Sequence, residues 1–329
     1  MAPNATILGG IAGLTLEPAE RDFFRSADPF GFILFARNIE TPDQVRRLTA
    51  DLRDAVGRDA IITVDQEGGR VQRLRGPHWT EWAAPLDQAW AGTRAMWLRY
   101  HLIGQELRAI GIDSDCAPTL DVAQDETHPF LRNRCFGTDP SEVARLGRAC
   151  ANGLLDAGVL PVMKHMPGHG RAVADSHHDL PRIGVSLDDL DACDFAPFRA
   201  LNDLPMGMTG HMRLDVVSDR AATASPETIA VIRDRIGFDG LLMTDDITMK
   251  ALSGTEAERA AAAIAAGCDL ALHCNGDVAA MEPVVAAAGA MTADAQRRAD
   301  AALALRKPPA PYDRAALVRE FMALTGVAV

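Results

Sequence analysis

The 329-residue chain is short of several things, and each shortage excludes a class of function. It has no basic excess: 33 Lys and Arg stand against 45 Asp and Glu, a formal net charge of −12. A general nucleic-acid binder would show the opposite, a basic face or stripe. No stretch approaches the ~18 consecutive apolar residues of a membrane span. The opening MAPNATILGGIAG has no basic segment leading into a long apolar one, so no signal peptide is expected. The six cysteines (Cys116, Cys135, Cys150, Cys193, Cys268 and Cys274) are scattered, and none forms a C-x-x-C pair. Reduced, partly buried thiols are the plain reading. These absences predict a cytoplasmic protein with neither nucleic acid nor membrane as a partner.

Two enzyme signatures are also missing. No G-x-G-x-x-G follows the first strand-like run, since GGIAG has the wrong spacing and enters no clear helix. No H-E-x-x-H occurs, and the H-x-x-x-H of HMPGH is interrupted by Pro167 and Gly168, so a zinc-binding helix is not expected there.

Composition is otherwise that of a globular protein, 48% hydrophobic and 24% charged. Eight short apolar runs alternate with longer amphipathic stretches: residues 6–13, 31–37, 60–66, 111–122, 160–166, 205–212, 240–246 and 269–274. Near-continuous apolar strands suit a parallel sheet covered by helices. TPDQVRRLTADLRDAV opens with a capping Thr and a first-turn Pro, and DPSEVARLGRACANGLLDAG ends at a glycine suited to a helix C-terminus. Eight such β-then-α units predict an α/β protein with a (β/α)8 (TIM) barrel fold. The barrel should form a single catalytic domain over 1–329, with a helical extension from about 307. KPPAPYDR breaks the last helical region, and a final helix over roughly 313–325 is expected to pack outside.

The polar residues cluster where these strands end. Asp65, Gln66 and Glu67 close the third, Asp121 the fourth, Lys164 and His165 the fifth, His211 the sixth, and Asp245 and Asp246 the seventh. Charges ending apolar strands are costly without partners. Five strands doing so together predict a site on the C-terminal face of the barrel. Asp245 or Asp246 could serve as a nucleophilic carboxylate, and strand alternation does not choose between them. The loop KHMPGHGRAVADSHHDLP (164–181) carries four histidines. Gly168 and Gly170 make its start conformationally permissive. Asp175 and His177 stand two apart, so a turn can let the carboxylate orient the imidazole for proton transfer near neutral pH. His169 and His178 read as loop-structuring groups.

Four segments, in order, resemble one family. KHMPGHGRAVADSHHDLP is similar to the K-H-[FM]-P-G-H-G-x4-D-S-H-x-x-L-P signature of glycoside hydrolase family 3 β-N-acetylglucosaminidases. VDQEGGRVQRL (64–74), NRCFGTDP (133–140) and GFDGLLMTDDITM (237–249) resemble the family's sugar-binding strand end, its N-R-x-F-G segment and its nucleophile strand. The resemblance runs from about residue 7 to 275, and the length fits the short, single-domain bacterial branch that recycles cell wall. Met166 replaces a frequent Phe and Ile247 a usual Leu, and His178 is an extra titratable group.

The resemblance implies Asp245 as nucleophile and His177 as general acid/base with Asp175 as its partner. It implies Asp65, Arg73, Arg134, Lys164 and His165 as sugar-binding residues. It further implies a retaining exo-β-N-acetylglucosaminidase acting on peptidoglycan fragments such as N-acetylglucosamine linked to 1,6-anhydro-N-acetylmuramic acid. No cofactor or metal is required, and a monomer is expected. Rival chemistries are phosphorolysis, because a histidine acid/base does not repel incoming phosphate, and a metal-dependent hydrolase or a non-catalytic sugar binder on the same barrel.

Overall fold

The computed structural model describes residues 2–173, 179–308 and 311–328. Among them, eight parallel strands close into a barrel in chain order: β1 (Asn4–Leu8), β2 (Pro29–Leu34), β3 (Ile61–Val64), β4 (Ser114–Asp115), β5 (Leu160–Met166), β6 (Met206–Thr209), β7 (Leu241–Asp246) and β8 (Leu270–His273). Closure comes from β1 pairing with β8, Ile7 opposite Leu272. This is the expected (β/α)8 barrel, built on the eight expected strands.

The strand boundaries differ from the sequence reading most at the first and fourth strands. The first run, expected over 6–13, is paired only as far as Leu8, because the chain turns away through Gly10 at φ +59°. The fourth, expected over 111–122, pairs with β3 only at Ser114 and Asp115. Beyond Cys116, whose N–H still donates to the Val64 carbonyl, it follows β5, with Leu120 N–H donating to the Lys164 carbonyl. Pro118 has no N–H to continue a ladder. Asp121 therefore lies past the strand, which ends at Asp115, and past the isolated bridge between Thr119 and Lys164.

Strand alternation splits the core in two. Ile7, Ile33, Ile61, Val162, Met206 and Met243 fill the lumen, while Phe32, Ile62, Met163 and Leu242 face the helices. The helices begin and end where local chemistry says they should. In α1 (Pro42–Val56), Thr41 Oγ1 accepts from Gln44 N–H, and Gly57 terminates the helix at φ +64°. Its buried Val45, Leu48, Leu52 and Ala55 form one stripe at helical spacing. Helices α2 (Gly92–Ala109) and α3 (Pro140–Asp156) pack closely because a side chain at Gly153 would lie 2.5 Å from the Trp97 carbonyl. In α4 (Glu256–Ala266), Thr255 and Glu258 form a reciprocal cap. The last helix, α5 (Arg314–Thr325), packs on α2, with Phe321 edge-on to Trp82 and Arg314 bonded to Glu106 at 2.7 Å.

The strand starts carry charge too. Asp113, just before β4, is buried between Arg53 (3.0 Å) and Arg306, and it also accepts from Ile62 N–H. Asp269, just before β8, is held by Arg233 and Arg298. Both are fully paired, which reads as stability rather than chemistry.

Candidate active site

At the opposite end of the barrel a cavity of about 250 Å³ opens among the strand termini. Its apolar wall includes Phe35, Met208 and Leu272, and its polar wall brings together Asp65, Arg73, Arg134, Lys164, His165 and Asp245. These six come from distant parts of the chain, and all six were singled out in the sequence. The volume lies just below the ~300–1,000 Å³ typical of ligand pockets, suited to a single ring rather than an extended chain.

The polar wall is one ionic network. After Val64 the chain folds into a short hairpin in which Gln66 Oε1 accepts from Arg73 N–H and Leu74 N–H. Alternation sends Asp65 and Glu67 to the same side. Lys164 Nζ, 1% exposed, donates to Asp65 Oδ1 at 2.9 Å and to Glu67 Oε1 at 2.7 Å. Arg73 takes the other Asp65 oxygen at 2.8 Å. Arg134 grips Glu67 through both carboxylate oxygens, at 2.9 and 2.7 Å. Burial alone would push both carboxyls up, but the cations dominate. Lys164 and Arg73 hold Asp65 far below the usual range, and Arg134 and Lys164 hold Glu67 down to about 2.

The network stays open to a ligand. Lys164 has three donors and commits two, and Arg134 leaves Nη1 uncommitted among the described residues. Glu67 was seen in the sequence only as a strand-end residue, yet it organises both cations. The signal was its i, i+2 spacing from Asp65, which places two carboxylates on one face of a strand.

His165 is held from behind. Its Nδ1 bonds Asp121 Oδ2 at 2.7 Å, and the same carboxylate accepts from His169 N–H at 2.7 Å. With the Nδ1 proton on the carboxylate side, Nε2 faces Arg134 Nη2 at 3.4 Å. Both imidazole nitrogens of His165 thus have partners. His169 is buried, and burial lowers its imidazole to about 4 despite the Asp121 carboxylate beside it. It is a neutral wall of the site.

The strand-end pair Asp245–Asp246 divides its labour. Asp246 is bonded by Thr248 N–H and Cys274 N–H at Oδ1 and by the Thr248 hydroxyl at Oδ2, and its carbonyl meets His211 Nε2 at 2.9 Å. Asp245 accepts one hydrogen bond among the described residues, from Asp246 N–H at 2.8 Å, and its carboxylate lines the cavity. Burial opposes its charge, but the His165 and His211 rings, the Asp246 N–H and Lys164 outweigh that and hold its pKa below the ordinary carboxylate value. Asp245 is ionised and has hydrogen-bonding capacity to spare; Asp246 is a brace.

The loop leaves this wall through two glycines that serve different needs. Gly168 has φ +136°, where a side chain is strained. At Gly170 the reason is contact: an added Cβ would lie 2.0 Å from the Val122 carbonyl oxygen. Asp175, His177 and His178, the expected proton-transfer pair and its neighbour, lie outside the described residues.

The profile of the Glycosyl hydrolase family 3 N terminal domain matches residues 22–303. A protein named beta-hexosaminidase from Bordetella avium is 37% identical over 84% of this chain and 82% of its own length. One of the same name from Pseudomonas aeruginosa is 38% identical over 86% of both chains. The solved structure of NagZ from Neisseria gonorrhoeae, in complex with N-trifluoroacetyl-D-glucosamine, superposes with a TM-score of 0.86 at 30% identity, covering 99% of this chain and 97% of that one. The chain belongs to glycoside hydrolase family 3.

Proposed function

We propose that this family 3 glycoside hydrolase is a retaining exo-β-N-acetylglucosaminidase. The observation that carries the reading is the contrast across the cavity: an ionised Asp245 with spare capacity on one side, and the Asp65–Lys164–Glu67–Arg134 network on the other. A carboxylate accepts two sugar hydroxyls at once, and Lys and Arg donate to hydroxyl and carbonyl oxygens. The network therefore suits a terminal sugar held with its anomeric carbon toward Asp245. A small, one-ring cavity suits cleavage at a chain end.

In the first step Asp245 Oδ attacks the anomeric carbon, and the glycosidic oxygen leaves with a proton from His177, which Asp175 orients. A glycosyl ester to Asp245 forms. In the second step His177 takes a proton from water, the hydroxide oxygen attacks the anomeric carbon, and Asp245 departs as carboxylate. Two inversions give net retention. No step calls on a metal or cofactor. The β-hexosaminidase and NagZ relatives support N-acetylglucosamine as the sugar. The substrate proposed is a peptidoglycan fragment, N-acetylglucosamine β-linked to 1,6-anhydro-N-acetylmuramic acid with or without peptide, met in the cytoplasm by a monomeric enzyme.

The test is release of nitrophenolate from 4-nitrophenyl N-acetyl-β-glucosaminide, against the plain β-glucoside, without added metal. Cleavage of the N-acetyl sugar alone, lost in Asp245→Ala, is expected. An active Asp245→Ala beside a dead Asp246→Ala would overturn the nucleophile. Sugar 1-phosphate formed on adding phosphate would replace hydrolysis by phosphorolysis, and inactivation by a chelator would revive the metal mechanism.

A further inference from the structure

The groups assigned to the sugar hang on one hairpin, and that hairpin is fastened at a point outside the mechanism just described. Asp65 and Glu67 flank Gln66, whose buried main-chain N–H donates to the side chain of Asp115 at 2.9 Å. Asp115 ends β4, opposite Val64 at the end of β3. Where β3 turns into its hairpin, the Asp115 carboxyl continues the ladder in place of a strand carbonyl. Asp115 is fully buried, and its second oxygen, Oδ2, meets no donor among the described residues.

We infer that Asp115 is a positioning residue for sugar binding: by holding the Gln66 N–H it fixes the hairpin that presents Asp65 and Glu67 to Lys164, Arg73 and Arg134. It touches no substrate in this reading and acts only through the hairpin.

The same site makes its protonation state matter. A buried carboxylate oxygen with no donor is costly when charged. The groups facing Asp115 are Asp65 and Glu67 beyond β3, Lys164 on β5, Arg99 and Tyr100 on α2, Cys150 on α3, and Cys116 beside it in the chain. Lys164 already divides its bonds between Asp65 and Glu67, so a third negative charge would compete with both for it. Burial raises the Asp115 carboxyl to about 8 in spite of the Gln66 N–H and Lys164, with Asp65 and Glu67 adding to the rise. Asp115 is therefore neutral at pH 7 and gains its charge on the alkaline side. Charging it strengthens its pull on the Gln66 N–H but draws Lys164 away from Asp65 and Glu67, which should disturb the groups the hairpin presents and weaken sugar binding.

The kinetic part of the test rests on the glycosidase reading. Asp115→Ala should raise KM for the nitrophenyl N-acetylglucosaminide about five- to tenfold, the scale of one lost buried hydrogen bond, with kcat within about twofold. Asp115→Asn keeps the acceptor and stays neutral, so it should bring KM back to near the wild-type value at pH 7. Between pH 7 and 9, KM should rise in the wild type and stay level in Asp115→Asn. A KM unmoved in Asp115→Ala, no recovery in Asp115→Asn, or identical alkaline rises in wild type and Asp115→Asn would each overturn the inference.

A second measurement needs neither activity nor an alanine variant that folds. In wild-type protein, the Gln66 amide signal followed by NMR should titrate with a midpoint near 8, and the titration should vanish in Asp115→Asn. An amide that does not move, or that moves equally in both proteins, overturns the inference. A wild-type enzyme inactive on the sugar, with the amide titration present, would count against the glycosidase reading and leave the Asp115 contact standing.

Discussion

Glu67→Gln is the sharpest perturbation of this site, because it keeps the shape of the residue and removes only charge. In the wild type, two carboxylates, Asp65 and Glu67, stand against Arg73, Lys164 and Arg134. Glu67 accepts three charge-assisted bonds, two from Arg134 and one from Lys164. A glutamine in its place has a single carbonyl to offer them, and its amide group turns donors toward a cation. Removing one partner of a buried ion pair costs ~3–5 kcal/mol, since the surviving charge stays buried and uncompensated. At roughly 2.1 cal/mol/K of unfolding entropy per residue, a chain of this length loses about 4–7 °C in Tm for that change.

The effect on function follows from the same bonds. Misorienting Arg134 and Lys164 forfeits bonds worth ~1.5–3 kcal/mol each, so KM should rise roughly 10- to 100-fold while Asp245 remains untouched. Differential scanning fluorimetry and steady-state kinetics read the two effects separately. The double variant Glu67→Gln/Lys164→Met is the control. It restores the charge balance, so at least half of the lost Tm should return while KM stays high. A single variant that melts within about 1 °C of wild type with KM within twofold would refute the network's role. A double variant less stable than the single would refute the charge argument behind it.

The other predictions draw on separate parts of the site. His177→Ala should lower kcat/KM by ~10²–10⁴ with a natural sugar leaving group and much less with an activated phenolate; equal losses on both, in parallel assays, would remove His177 from the acid role. His169, neutral and buried with its imidazole lowered to about 4, binds fewer protons folded than unfolded. Its contribution is present above about 6.5 and lost as pH falls through about 4, up to ~3 kcal/mol; urea midpoints at pH 7.5 and 4 should therefore differ by less in His169→Asn than in wild type. Gly170→Ala sets a Cβ 2.0 Å from the Val122 carbonyl oxygen, so the backbone must move. It should destabilise by ~1–3 kcal/mol and lower kcat, as chemical denaturation and kinetics would show.

The barrel was legible because its signals are local. Apolar runs of strand length, caps such as Thr41 and Thr255, and stopping glycines such as Gly57 and Gly267 each sit within a few residues of what they control. The fourth strand was drawn too long for the converse reason. GIDSDCAPTLDV has the composition of a continuous strand, but which neighbours its backbone pairs with is decided by β3 turning away, some fifty residues earlier. Asp115 was invisible on the same ground. Nothing in its local sequence separates it from Asp113, two residues before, which is locked between Arg53 and Arg306.

That comparison bears on how a site is read at all. Charge at a strand end does not mark function, since Asp113 and Asp269 carry as much buried charge as Asp65 and Asp245. What separates the two ends of this barrel is how far each group's bonding capacity is consumed. Asp113 and Asp269 are each saturated by two arginines and a main-chain N–H. Asp246, though it reaches the cavity, is saturated by Thr248 and Cys274. Among the described residues Asp245 is not, and neither are Lys164 and Arg134. Strand alternation could place Asp245 and Asp246 side by side but could not rank them, because it depends on where the strand ends; in the sequence only the family resemblance favoured Asp245. Counting donors among the described residues favours the same one: the capacity Asp245 does not spend on them is the capacity a sugar can use.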